Sequence, residues 1–194
     1  MNLPNVLTLS RLGLAVVLMM LLTISFPFSH ILALLVFIIA AVTDYLDGHL
    51  ARHGWGVTSF GRLMDPLTDK VLVCAAFVSF VELHLVPAWM VVLIVAREFL
   101  VTGLRLLAIH RGTVISAGRW GKHKTVWQIV AIIVLLLGLA VRSDFLGGAS
   151  PAMLHLYDRG FMLISYAVCV VVVAITVFSG ALYFYEHRDL LDGR

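Results

Sequence analysis

An all-α fold embedded in a membrane, with six spanning helices and both termini on the cytoplasmic side, is what this sequence predicts. Three observations carry that reading. First, 61% of the 194 residues are hydrophobic and the mean hydropathy is +1.03, whereas a soluble domain is only about half apolar. Second, the apolar residues gather into six runs, each near the ~20 residues that cross a bilayer as a helix. Third, Lys and Arg collect at the connections that would share one side of the membrane.

The runs are read as helices because an open strand in lipid leaves backbone N–H and C=O groups unpaired. The first spans Leu7–Phe26 and is closed by Pro27. The second covers His30–Ala51 and the third Pro66–Leu83. Pro87 opens the fourth, Pro87–Ile109, because proline is tolerated in a first helical turn. The fifth covers Thr125–Val141, and Gly147-Gly148-Ala149-Ser150-Pro151 marks the loop before the sixth, Phe161–Tyr185. There is no internal repeat, and one domain over residues 1–194 is expected. Met1–Arg11 is not expected to be a cleaved signal, since no small-residue cleavage site follows the first run. Cys74 and Cys169 fall inside apolar runs and read as small core residues.

Orientation follows from the cations. Loops 1–2 and 3–4 hold none, and loop 5–6 holds Arg142 and Arg159. The remaining twelve of the fourteen Lys and Arg lie at the N-terminal end, the 2–3 and 4–5 connections with their flanking helix ends, or the C-terminal tail. The positive-inside rule then places both termini in the cytoplasm. Tyr183, Tyr185 and Trp120 suit an interfacial aromatic belt.

Chemistry concentrates in 26 residues: Asp44-Tyr-Leu-Asp47-Gly48-His-Leu-Ala51-Arg52, eight residues, then Gly61-Arg-Leu-Met-Asp65-Pro-Leu-Thr-Asp69. Four of only eleven Asp and Glu in the chain lie here, against strongly apolar runs. A carboxylate in hydrocarbon costs several kcal/mol without a cation, and mutual repulsion raises the cost of a cluster. Asp44 and Asp47 are three apart and Asp65 and Asp69 four apart, so each pair shares a helix face. Oxygen-only ligands suit a hard divalent ion, Mg²⁺ or Mn²⁺, and two such ions would hold a phosphate between them. Gly48 leaves room for a ligand beside Asp47, and Arg52 can grip phosphate with two prongs. The plainer alternative pairs the acids with Arg52, Arg62 and Lys70 as interfacial ion pairs. A cation transporter is disfavoured because the acids sit at one membrane face, with no midplane acid in the last three runs.

These residues match D-x₂-D-G-x₂-A-R-x₈-G-x₃-D-x₃-D at every fixed position. The sequence thereby resembles the CDP-alcohol phosphatidyltransferase family of integral membrane enzymes, whose six helices and cytoplasm-facing site would account for nearly the whole chain. The resemblance implies roles. Asp44, Asp47, Asp65 and Asp69 would be metal ligands, with Asp69 also the general base. Gly48 and Arg52 would contact the diphosphate of CDP-diacylglycerol, and Thr58 the nucleotide. Pro4-Asn5-Val6-Leu7-Thr8 resembles a family element lining the cytidine pocket, although Asn5 and Thr8 serve equally as polar caps of the first helix. A homodimer in the cytoplasmic membrane is also implied.

The acceptor site should show the acceptor's charge. Arg97 and Arg105 are eight apart, near one helix face, and Lys122 opens the fifth helix. Buried arginines with no nearby carboxylate except Glu98 want an anion, and a phosphate on the acceptor would satisfy them. Arg97-Glu98-Phe99, Gly121-Lys122-His123-Lys124-Thr125 and the opening Asn2-Leu-Pro-Asn resemble the bacterial branch of the family that makes phosphatidylglycerophosphate. That branch transfers the phosphatidyl group of CDP-diacylglycerol to sn-glycerol 3-phosphate and releases CMP. Arg111, Arg119 and Lys124 equally suit the positive-inside rule, facing lipid head groups. The alternatives are another acceptor (inositol phosphate, serine or phosphatidylglycerol) or a non-catalytic metal or lipid carrier. The arginine pair speaks against serine.

Overall fold

The structure, a computed structural model, describes the backbone of residues 3–24, 26–50, 59–110 and 119–188, and the side chains of 10–24, 26–43, 70–109 and 123–188. It is all helical, with no strand among the described residues. The helices are α1 (Leu3–Thr23), α2 (Ser29–Leu50), α3 (Ser59–Glu82), α4 (Ala88–His110), α5 (Arg119–Ala140) and α6 (Pro151–Glu186), with a π-helical turn at Val141–Phe145 after α5. Each expected run overlaps one of these helices. The helices α5 and α6, over His123–Phe145 and Pro151–Glu186, are long and apolar enough to cross a membrane, as a membrane protein requires.

Three helices begin six or more residues earlier than their apolar runs. The helix α3 starts at Ser59 rather than Pro66, α5 at Arg119 rather than Thr125, and α6 at Pro151 rather than Phe161. Hydropathy marks only the part of a helix that lipid or core can accept, while the backbone ladder continues through polar turns. At α6 the cause is local: Ser150 accepts a hydrogen bond from Met153 N at 3.4 Å, and Pro151 occupies the first helical position. A capping serine followed by proline is a strong start signal. With 36 residues, α6 is ~54 Å long, well beyond the ~30 Å hydrocarbon layer.

The helices close into a ring. Helix α2 packs on α1, α1 on α3, α3 on α4, α4 on α6, α6 on α5, and α5 back on α2, with α3 also touching α5. Inside lie Leu18, Phe37, Phe77, Phe80, Met90, Ile132, Leu136 and Val172, all fully buried. The outward faces are just as apolar: Met20, Ile39, Val92, Leu137 and Leu163 are all more than half exposed. An exposed apolar face of that extent is costly in water and natural in lipid. Cys169 is buried in the core and Cys74 partly buried, both as free thiols. Tyr185 is exposed, but Tyr183 is buried against Val101, Leu104 and Ala108 of α4. The belt expected of Tyr183 therefore gives way to a place between two helices.

One end of the ring is laced by polar contacts. The π-helical turn brings Asp144 to the start of α2, where Oδ2 accepts from Ile31 N at 3.2 Å. An anion at a helix N-terminus is stabilised by the unpaired N–H groups there. Ser143 Oγ lies 2.9 Å from His30 Nδ1, and Arg142 forks onto Asp158 of α6, with Nη2 donating to Oδ2 at 3.1 Å. Tyr157 Oη donates to the Gly138 carbonyl at 2.9 Å.

Gly138 allows α5 and α6 to approach: a Cβ there would overlap the Phe161 ring. Gly138→Ala should therefore cost about 1–3 kcal/mol through overpacking. Gly160→Ala should be neutral or slightly stabilising, since its Cβ would meet nothing within 4 Å. Thermal unfolding of both variants in mixed micelles checks this. Equal melting temperatures would mean that the α5–α6 contact tolerates a methyl group.

Candidate active site

A second polar cluster lies away from the lacing, where the first half of α5, the second half of α4, Lys70 of α3 and the last turns of α6 converge. Its construction starts with a stripe on α4. Met90, Ile94, Arg97, Glu98, Val101, Thr102, Leu104 and Ala108 are buried, at the three-and-four spacing of one helix face. The stripe is apolar at both ends and charged in the middle. The inward face of α5 repeats the pattern, with Lys124 and Gln128 buried ahead of Ala131, Ile132 and Leu135. On α6, Thr176, Ser179 and Tyr183 continue a stripe begun by Phe161, Ser165 and Cys169.

Glu98 is the centre, at only 5% exposure. Its Oε1 forms a direct ion pair with Lys124 Nζ. Arg97 Nη1 lies 3.5 Å from the same oxygen, and Lys70 Nζ lies 3.8 Å from Oε2. Gln128 Nε2 donates to Oε1 at 3.3 Å. Thr102 Oγ1 turns back to the Glu98 carbonyl at 2.7 Å and so adds no charge. One carboxylate thus meets three cations from three helices. Among the described residues the surplus is positive, which favours a negatively charged ligand here.

Arg97 is held from the other side by α6. Its Nη2 donates to Ser179 Oγ at 3.2 Å, and Ser179 Oγ donates to the Thr176 carbonyl at 3.0 Å. The Arg97 stem lies against Gly180, where a Cβ would come 2.9 Å from Arg97 Cγ. Arg105, two turns further along α4, is half-buried. Arg97 Nε, Arg105 Nε, Thr176 Oγ1 and Tyr183 Oη are buried with no hydrogen-bond partner among the described residues.

The expected acceptor-side residues Arg97 and Arg105 thus stand on one face of α4, while the Lys122 side chain lies outside the described residues. The ranges of α2 and α3 include Asp44, Asp47 and Gly48, and Asp65 and Asp69. That of α1 includes Asn5 and Thr8. The side chains of all seven lie outside the described residues, as do Arg52 and Thr58 altogether. No group of three metal-ligating side chains occurs among the described residues. Lys124, weighed in sequence as a lipid-facing cation, is instead buried on Glu98. Sequence reasoning passed over Gln128, Thr176 and Ser179, and assigned Tyr183 to an interfacial belt. The signal was present: Lys124 and Gln128 are four apart, and Thr176, Ser179 and Tyr183 are spaced three and four along an apolar helix.

Comparison with known proteins places the sequence in a family. Residues 1–176 match the family described as CDP-alcohol phosphatidyltransferase. The chain is 44% identical over 148 residues to a CDP-diacylglycerol–glycerol-3-phosphate 3-phosphatidyltransferase of Bacillus subtilis strain 168, covering 70% of this chain and 77% of that protein. It is 39% identical to an enzyme of the same name from Rickettsia bellii, covering 71% of this chain and 76% of the relative. It is 42% identical to a probable phosphatidylglycerophosphate synthase of Mycobacterium tuberculosis, covering 72% and 68%.

Removing the central carboxylate should destabilise the fold. Glu98→Ala leaves buried cations uncompensated and should cost roughly 3–5 kcal/mol. Adding Lys124→Met should recover part of that loss, because the two side chains are directly paired. Chemical unfolding of the single and double variants in micelles measures the coupling. Strictly additive costs would show that the pair is not what holds the cluster.

Proposed function

The chain belongs to the CDP-alcohol phosphatidyltransferase family, and we propose that it transfers the phosphatidyl group of CDP-diacylglycerol to sn-glycerol 3-phosphate, giving phosphatidylglycerophosphate and CMP. The observation that carries this reading is the agreement of two things: relatives named for that reaction over about seventy per cent of the chain, and, among the described residues, three cations of α3, α4 and α5, two of them buried, around a single carboxylate. A phosphorylated acceptor matches that surplus, whereas a neutral alcohol would leave it unmatched.

The acids fit a divalent metal. The buried stripe of α2 runs Ser29, Ala33, Phe37 and Ala40, and the next steps of four and three in sequence reach Asp44 and Asp47. On α3, Leu72, Ala76 and Phe80 are buried, and three and seven residues before Leu72 come Asp69 and Asp65. Among the described cations, Lys70, Arg97 and Lys124 are already engaged with Glu98. An all-oxygen donor set suits Mg²⁺ or Mn²⁺, and Asp44, Asp47, Asp65 and Asp69 would hold two such ions. When bound, they neutralise the diphosphate and stabilise charge on the leaving group.

The residues of the chain do the rest. Gly48, Arg52 and Thr58, with Asn5 and Thr8, hold the cytidine diphosphate. Arg97, Arg105 and Lys122 hold the acceptor phosphate. Asp69 takes the proton from the acceptor hydroxyl. The hydroxyl oxygen then bonds to the β-phosphorus, and CMP departs with the electron pair of the broken P–O bond. As a single membrane domain with six spans and both termini in the cytoplasm, the chain would present this site to cytoplasmic glycerol phosphate in the inner membrane and work as a homodimer.

Purified protein with labelled CDP-diacylglycerol and a panel of acceptors tests the reading. CMP release should require glycerol 3-phosphate and fail with serine, inositol phosphate or phosphatidylglycerol. Release with any other member of the panel alone would reassign the acceptor, and no release with any member would remove the enzymatic reading. Excess EDTA should abolish turnover, and Mg²⁺ or Mn²⁺ should restore it; full activity in chelator would exclude the metal.

Asp69→Asn retains shape and one oxygen but cannot accept a proton. It should lower kcat at least tenfold, or ~1.4 kcal/mol, while CDP-diacylglycerol still binds. A variant with wild-type kcat would take base catalysis away from Asp69.

A further inference from the structure

The last turns of α6 hold polar groups that no described residue satisfies. Tyr183 is 6% exposed, Thr176 is fully buried, and the hydroxyl of each lacks a partner among the described residues. Burying a hydroxyl without a hydrogen bond costs as much as losing one outright, so such groups mark where a ligand completes the structure. Residues 177 onward lie beyond the stretch that matches the family.

Helices α4 and α6 run parallel. Arg97 meets Ser179 and Gly180, and four residues later in α6 Tyr183 packs on Val101, Leu104 and Ala108, which follow Arg97 in α4. Arg105 stands ~12 Å above Arg97 along α4, and Tyr183 ~6 Å above Ser179 along α6, at 1.5 Å per residue. Tyr183 thus sits at a height between the two arginines. Its ring is fixed by stacking on His187 at a centroid distance of 4.5 Å. Two guanidinium Nε–H donors, the phenol and the Thr176 hydroxyl are the unsatisfied groups of this interface among the described residues. Two cations and a neutral hydroxyl select an anion with several acceptor oxygens.

We propose that the C-terminal end of α6 is the specificity wall of the acceptor subsite, with Tyr183 donating a hydrogen bond to the acceptor's phosphate between Arg97 and Arg105, and with Ser179 and Gly180 positioning Arg97. The ligand class is the phosphomonoester of a small alcohol. Gly180 has the negative φ of any helical residue, so its role is not conformational: it makes room. Any side chain there would push the Arg97 stem off α6 and turn its guanidinium away from Ser179. Ser179 Oγ accepts from Nη2 and so leaves the Nε–H as the donor available to substrate.

The inference rests on the acceptor reading above, and two measurements keep them apart. The first is steady-state kinetics of wild type, Tyr183→Phe and Gly180→Ala in mixed micelles at saturating Mg²⁺. Both variants should raise the KM for glycerol 3-phosphate, Tyr183→Phe by about tenfold, the effect of a hydrogen bond to a charged group. The KM for CDP-diacylglycerol should stay unchanged. Gly160→Ala, exposed near the far end of α6, is the control and should match wild type. The second is the shift in melting temperature produced by inorganic phosphate alone, expected in wild type and reduced in Tyr183→Phe.

Unchanged acceptor KM in both variants, or KM values for both substrates rising together, would overturn the proposal and leave the acceptor reading standing. A phosphate-dependent shift that Tyr183→Phe reduces, in a protein that releases no CMP with glycerol 3-phosphate, would keep the anion site and remove the acceptor reading.

Discussion

Glu98 is the point at which four helices become one site. A carboxylate at 5% exposure cannot stay ionised in a low-dielectric interior without compensation. Here compensation comes from Lys70 on α3, Arg97 on α4, and Lys124 and Gln128 on α5. Arg97 carries the link on to Ser179 of α6. Each of these side chains is long enough to reach lipid head groups, and the buried acid keeps them inside instead. Whether such a cluster adds net stability over an apolar core is doubtful in general. What it supplies is register: sliding α3 or α5 by a turn would carry a lysine away from Glu98.

The balance of charge around Glu98 bears on what the site can hold. Three cations around one acid make a field suited to phosphate, while four further acids sit in the 26-residue motif on neighbouring helices. The single carboxylate of the cluster leaves positive charge over among the described residues, as the proposed reaction between two anionic substrates needs. Each must be held near the other in spite of repulsion, and each must be held by a group that the other does not neutralise.

Much of this was legible in the sequence, and the reasons differ from part to part. The helical character followed from hydropathy and the rule that lipid-exposed backbone must satisfy itself, and each expected run meets a helix. Helix starts were less legible. Ser59, Arg119 and Pro151 precede the apolar runs, because hydropathy sees the membrane boundary and not the end of the backbone ladder. Arg97 and Arg105 were readable as a pair from their spacing of eight. Lys124 was not, since a lysine beside a predicted membrane face has an ordinary reason to be there. Only its partner on another helix decides the matter, and pairing across sequence distance is invisible to local pattern. Tyr183 failed for the same reason: an aromatic near a helix end resembles an interfacial anchor until the neighbouring helix is in place.

The hold on Arg97 has a further consequence. In the proposed reaction the phosphomonoester of the acceptor takes no part in bond making, so it is still present, unchanged, on the product. Whatever grips it on arrival must let it go before the next cycle. Arg97 spends part of its guanidinium on Glu98 and Ser179, which limits how firmly it can clasp a third party. A cage with every donor free would recognise the incoming alcohol better and then surrender the finished lipid more slowly. Sharing the arginine with the scaffold trades grip for departure.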